Sequence, residues 1–315
     1  MLLKEMTWIK KAVFALLALM AVMGGQASAD TGDVLVDTDW LEQHIDDDNL
    51  VILEVRYHPH RYYTIGHIPG AVQVQRFKDL GDNDGQSIML FPDKPAFEKT
   101  LRSWGVNDNS SIVIYDDSRS ALASRLYFLL DYYGYDMTQV KVLDGGTVAW
   151  QSFNDLETDK VEPKRGTVTL KEARSELSVE WTGVYDRVVS QRDTQMVLLD
   201  ARPSTHYSGK EIVHAVRGGH IPGAINIVSL SGTEGETQLW KTAEDLAQMY
   251  ADIPKDKTVI AYCHDGFRMS LAYMQLKAIG YKDVRLYNGG WGHWGNELSL
   301  PVVEGREPFD DTFKL

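Results

Sequence analysis

Cys263 is the one cysteine in 315 residues, and it opens the segment Cys263-His264-Asp265-Gly266-Phe267-Arg268. A thiolate is a strong nucleophile, and an arginine a few residues further on adds a fixed positive charge. Upstream, Thr258-Val259-Ile260-Ala261-Tyr262 is a β-branched and aromatic run that reads as a buried parallel strand. Downstream, Met269 to Leu276 reads as an amphipathic helix. A strand that passes into a helix through a short loop leaves N–H groups free, and these donors with the helix dipole stabilise an anion. Cys263 is therefore expected to ionise more readily than an ordinary thiol, first through the loop N–H groups and helix dipole and second through Arg268. A buried cysteine acting as a small hydrophobe is the competing reading. The strand–loop–helix setting favours the nucleophile.

The elements that must hold this loop occur twice. Gly66-His67-Ile68-Pro69-Gly70-Ala71-Val72 recurs as Gly219-His220-Ile221-Pro222-Gly223-Ala224-Ile225. Ile112-Val113-Ile114-Tyr115-Asp116 recurs as Val259-Ile260-Ala261-Tyr262-Cys263. Val142-Leu143-Asp144-Gly145-Gly146 with Trp150 recurs as Leu286-Tyr287-Asn288-Gly289-Gly290 with Trp294. The spacings are 153, 147 and 144 residues, in one order, so one domain is duplicated in tandem. Each half opens with a helix (Thr38–Gln43, Glu180–Val184) and a strand (Val51–Val55, Met196–Asp200), followed by the His-Ile-Pro-Gly-Ala turn. Strands then alternate with helices, which predicts an α/β fold: in each half a parallel sheet flanked by helices on both faces. The polar stretch Asp155–Lys171, with Pro163 and Gly166 and no apolar period, marks the joint.

The N-terminus has the form of an export signal. Lys4, Lys10 and Lys11 precede the apolar run Ala12–Met23, and Ala27-Ser28-Ala29 is a small-x-small cleavage site. The run is short for a membrane span, and no cysteine near the cleavage site offers a lipid anchor. Export, to a bacterial periplasm, and no membrane association after cleavage are expected. The expected division is signal peptide 1–29, first domain 30–158, linker 159–178 and second domain 179–315. In an oxidising compartment a lone thiol forms no internal disulfide, and catalysis is a reason to keep it. The whole chain carries −13; residues 1–29 contribute +2, so the remainder carries −15. That disfavours nucleic acid and anionic lipid as partners.

The paired GHIPGA turns, the paired Gly-Gly-x3-Trp endings and the cysteine loop resemble a tandem-domain rhodanese, the thiosulfate or 3-mercaptopyruvate sulfurtransferase family. The resemblance covers nearly the whole chain after the signal. It implies two rhodanese-like domains, the first an inactive copy and the second catalytic. Asp116 stands where Cys263 stands, and its loop, Asp116-Asp117-Ser118-Arg119-Ser120, has two carboxylates and no glycine, so it is expected to hold an anion poorly. The implied reaction is a double displacement without cofactor or metal. Cys263 takes the outer sulfur of a small anionic donor as a persulfide and passes it to a thiophilic acceptor such as cyanide or a thiol. The loop residues His264, Asp265, Gly266, Phe267 and Arg268 are expected to bind substrate, Arg268 through its charge. Arg202 matches a family arginine. Where many members carry a second donor-binding arginine this chain has His206, and Arg217 is the candidate replacement.

His67 and His220 occur in both copies while the thiol occurs in one, so both read as turn elements, as Trp150 and Trp294 read as packing residues. The main alternative function is a non-enzymatic sulfane-sulfur carrier. A Cys-dependent phosphatase is disfavoured because its Cys-x5-Arg loop needs an arginine where Met269 stands. A metal site on Cys263, His264 and Asp265 is disfavoured because neighbours in sequence cannot all face one ion.

Overall fold

The computed structural model describes residues 34–82 and 89–309, so the export segment lies outside the described residues. Apolar β-branched runs build two sheets of five parallel strands. The first holds β1 (Leu35–Val36), β2 (Leu50–Val55), β3 (Val72–Val74), β4 (Ser111–Asp116) and β5 (Val140–Leu143), in the order β1-β5-β4-β2-β3. The second holds β6 (Ser178–Val179), β7 (Met196–Asp200), β8 (Ala224–Asn226), β9 (Thr258–Tyr262) and β10 (Val284–Tyr287), in the order β6-β10-β9-β7-β8. β4 and β9 are the central strands and are nearly all buried, as strands covered on both faces must be. Register runs from Leu50 against Ser111 to Val55 against Asp116, and from Met196 against Thr258 to Asp200 against Tyr262. Asp116 and Cys263 thus sit at the C-terminal ends of the two central strands, where parallel sheets open ligand crevices.

The repeated motifs have repeated jobs. His67 stacks on Tyr62 at 3.9 Å and His220 on Tyr207 at 3.7 Å, each imidazole between two main-chain carbonyls. The indole N–H groups of Trp150 and Trp294 donate to the carbonyls of Asp155 and Pro301. These are packing and turn roles, and they occur in both copies.

Two expectations need correction. The helix after the cysteine loop is Phe267–Ala278, and Phe267 and all of Met269–Leu276 are buried, so it is not amphipathic. It lies between its own sheet and the buried first-domain helix Ala123–Tyr132. Phe128 of that helix meets Tyr273 edge-on at 5.0 Å, and the Tyr273 hydroxyl donates to Asp131 at 2.5 Å. One apolar core therefore spans both domains. The opening helix of the second half lies where it was expected, at Trp181–Val184, and passes into a π-helical stretch at Tyr185–Ser190. Second, part of the expected linker belongs to the first domain. Gly166 and Val168 donate to the Arg102 and Val106 carbonyls at 2.8 and 3.1 Å, and the alternation Thr167–Leu170 buries Val168 and Leu170.

Candidate active site

Tyr262 ends β9, and Cys263 follows with its side chain buried. The chain turns through Gly266, whose φ of +99° is in the left-handed region that glycine adopts without steric cost. That turn aims the Gly266 N–H at Cys263 Sγ, 3.1 Å away. The N–H groups of Asp265 and Met269 also point at the sulfur. Beneath the loop, Gly290 explains the Gly-Gly repeat: a Cβ there would stand 2.5 Å from the Cys263 carbonyl oxygen. With no side chain in the way, Trp291 and Gly292 donate to the carbonyls of Cys263 and His264 at 2.7 and 2.9 Å. The loop is clamped from below and its donors converge on the sulfur.

Electrostatics at the sulfur run against the expectation of an acidic thiol. Burial pushes the Cys263 thiol up, and the Asp265 carboxylate pushes the same way. Arg268 and the loop N–H groups pull it down without overcoming them. Full desolvation of a charge outweighs a few oriented dipoles. His264 is held neutral: burial first, then Arg268 and other cations, bring it down to about 4, with Asp265 opposing. Its Nε2 is buried and without a hydrogen-bond partner among the described residues.

Beside the loop opens a cavity of about 780 Å³ with walls from both domains. His206, His264, Asp265, Phe267 and Arg268 face it from the second domain. Arg268 makes no hydrogen bond or ion pair among the described residues, so its charge is available to a ligand. His206 lies 3.5 Å from Glu211, and burial, with Arg268 nearby, lowers its pKa. Gly266 shapes the loop without lining the cavity.

The other two expected arginines are elsewhere. Arg202 is buried and forked onto Asp200 at 2.6 and 3.0 Å, with the Gly219 carbonyl at 2.7 Å and Trp291 stacked on it at 4.4 Å. Arg56 and Glu54 form the same buried pair in the first domain, so this arginine is a repeated structural element. Arg217 donates to the carbonyls of Trp294, Gly295, Glu297 and Leu300, at 2.5–3.3 Å. Neither guanidinium lines the cavity, because each is used up holding the chain.

The first-domain loop also departs from expectation, for it does hold an anion, its own. Asp116 accepts from the N–H groups of Ser118, Ser120, Leu122 and Ala123 at 2.7–3.0 Å. Arg119 and Ser120 take φ values of 61° and 62°, doing without glycine what Gly266 does in the second copy. Burial still pushes the Asp116 carboxyl up to about 6 against those donors.

The first domain supplies cavity residues that motif reading missed: Tyr57, Arg76, Phe77 and Arg119. Arg76 stacks over Tyr57 at 3.8 Å and Phe77 at 4.2 Å, and no carboxylate pairs with it among the described residues. Arg119 crosses to the second domain, donating to Thr233 and the Leu230 carbonyl. No motif marks these positions; only the domain packing brings them to the cavity beside the cysteine loop.

Comparisons with known proteins agree with this arrangement. The rhodanese-like domain family matches twice, at residues 37–153 and 185–297. Thiosulfate sulfurtransferase of Corynebacterium glutamicum is 29% identical over 86% of this chain and 91% of its own length. Sulfur carrier protein TtuD of Thermus thermophilus is 30% identical over 87% of this chain and 98% of its own. The crystal structure of SseA from Escherichia coli, a 3-mercaptopyruvate enzyme by its description, superposes with a TM-score of 0.71 at 28% identity, covering 82% of this chain and 98% of that one. Two duplicated parallel sheets, one cysteine loop and these likenesses lead to one assignment: the chain belongs to the rhodanese family and is a tandem-domain sulfurtransferase.

Proposed function

We propose that the protein moves a sulfane sulfur from a small anionic donor, thiosulfate or 3-mercaptopyruvate, through a persulfide on Cys263 to a thiophilic acceptor such as cyanide or a thiol. The observation that carries this reading is a buried cysteine sulfur met by converging N–H donors, in a loop whose next residues, His264, Asp265, Phe267 and Arg268, line the cleft. With thiosulfate, the Cys263 thiolate attacks the outer sulfur and the S–S bond of the donor breaks. Sulfite leaves with the bonding pair, and the enzyme keeps a persulfide anion. Cyanide then takes the terminal sulfur as thiocyanate, and the thiolate returns. Each half-reaction begins and ends with one negative charge on the enzyme sulfur, so the same donors serve throughout. Arg268 is the seat for the donor's anionic group, and Arg76 across the cleft takes the second cationic position that Arg217 does not fill.

Mass spectrometry tests the covalent step. Incubation with thiosulfate, and separately with 3-mercaptopyruvate, should add one sulfur, about 32 Da, to the Cys263 peptide. No adduct with either donor rejects the reading. A stable adduct without turnover would favour the carrier alternative, which the name of the Thermus relative supports. Phosphatase chemistry has no comparable support, since the Cys-x5-Arg position holds buried Met269.

A second expectation concerns the donor half-reaction. Arg268→Ala should slow persulfide formation from thiosulfate about ten- to a hundredfold, the worth of a hydrogen bond to a charged group. Discharge of the persulfide to a neutral thiol should change much less, as stopped-flow measurement of each half would show. Equal losses in both would assign Arg268 to loop support alone. We also propose that the enzyme works after export, on the form of residues 1–29 and the single thiol.

A further inference from the structure

The first domain carries a buried cation whose charge nothing bonded to it neutralises. Arg125 lies on the helix Ala123–Tyr132 and is fully buried. Its Nε donates to the Leu80 carbonyl at 3.2 Å, and its Nη2 donates to the carbonyls of Met89 at 2.8 Å and Leu90 at 3.4 Å. The guanidinium lies 4.7 Å over Phe91. All of these partners are neutral. Nη1 is buried and has no hydrogen-bond partner among the described residues. It is aimed at the cysteine loop of the other domain, and a Cβ on Gly266 would stand 2.8 Å from it. Gly266 is the residue whose N–H meets Cys263 Sγ. Gly266 thus has two reasons to be glycine, its left-handed φ and the approach of this guanidinium.

A buried charge left without an opposite charge costs several kcal/mol, and an apolar side chain of similar size would remove that cost. The cation is compensated only through space. The anions in its field are the Asp265 carboxylate and the ionised Cys263 sulfur. We infer that Arg125 is a positioning residue contributed by the first domain: a fixed, desolvated counter-charge behind the cysteine loop that favours the thiolate and the persulfide anion. Resting on the sulfur-transfer reading, the inference makes the thiol-less domain part of the active site's electrostatics. Burial draws Arg125 down to about 10, and negative charge on Cys263 and Asp265 draws it back up. The larger influences on the sulfur itself are burial and its own loop and helix, Asp265 raising its pKa and Arg268 lowering it.

The test reads ionisation of Cys263 without relying on sulfur transfer. Iodoacetamide alkylation is followed against pH in the wild-type protein, Arg125→Met and Arg125→Lys, with thermal unfolding recorded for each. Loss of an adjacent opposite charge should move the Arg125→Met profile to higher pH and slow alkylation at pH 7 about tenfold or more. Arg125→Lys, which keeps the charge, should retain most of the wild-type rate. A folded Arg125→Met protein with an unshifted profile would overturn the inference, even if its melting temperature fell. Should Arg125→Met not fold, the wild-type protein carries the test. The guanidinium nitrogen signals of Arg125 should shift in NMR spectra as the Cys263 thiol titrates, and this shift should vanish in Cys263→Ser. Signals that ignore Cys263 would also overturn it. Because alkylation and NMR do not require a sulfur donor, failure here is distinct from failure of the sulfurtransferase reading.

Discussion

Cys263→Ser should reduce thiocyanate formation from thiosulfate and cyanide about a thousandfold or more, the scale seen when a covalent nucleophile is removed. A serine oxygen cannot form the persulfide, and the chain holds no second thiol to replace it. The fold should survive. Cys263 closes no disulfide, its sulfur accepts from the Gly266 N–H with the Asp265 and Met269 N–H groups nearby, and a hydroxyl oxygen can accept there. The loop is held through the main chain, by Trp291 and Gly292 on the carbonyls of Cys263 and His264, and those bonds do not depend on the side chain. The unfolding free energy should therefore stay within about 1 kcal/mol of wild type. Residual thiocyanate formation near the wild-type rate would mean that another group carries the sulfur.

The largest effect on stability should come from the domain without a thiol. Asp116→Ala leaves four N–H groups, of Ser118, Ser120, Leu122 and Ala123, without their acceptor in a loop strained at Arg119 and Ser120. Unsatisfied buried donors cost about 1–3 kcal/mol each, with relaxation and water from the cleft recovering part. A net loss of about 3–5 kcal/mol in denaturant unfolding is expected. Asp116→Asn keeps one carbonyl oxygen but turns an amide N–H₂ toward two of the donors, so an intermediate loss is expected. The pH dependence has a definite sign. The folded carboxyl stands at about 6 against an ordinary 3.8, so its contribution is complete below 3.8 and is lost as pH rises through about 6. Asp116→Asn should flatten that part of the stability profile. A loss under about 1 kcal/mol for Asp116→Ala would show that the loop relaxes freely once its anchor is gone.

Chemical type and repeat order were legible from residues alone. The central strands Ser111–Asp116 and Thr258–Tyr262 are contiguous β-branched runs, so local pattern was enough to place them and to put Asp116 and Cys263 at their ends. The turns at Gly66–Ala71 and Gly219–Ala224 were legible because a local backbone requirement leaves a local signature. What the sequence could not rank was competition between distant groups. Arg202, Arg217 and Arg268 are alike as residue types; only tertiary contacts show that the first is spent on Asp200, the second on four carbonyls, and the third is open to the cleft. The ionisation of Cys263 follows the same rule. Donors within the loop are visible in its sequence, but burial is a property of everything packed around it, and burial is the larger effect here. Arg76 and Arg125 carried no motif, because one reaches the cavity and the other the cysteine loop across the domain boundary. Short-range geometry is written in neighbouring residues, whereas desolvation and charge act through space and are decided by which surfaces the fold brings together.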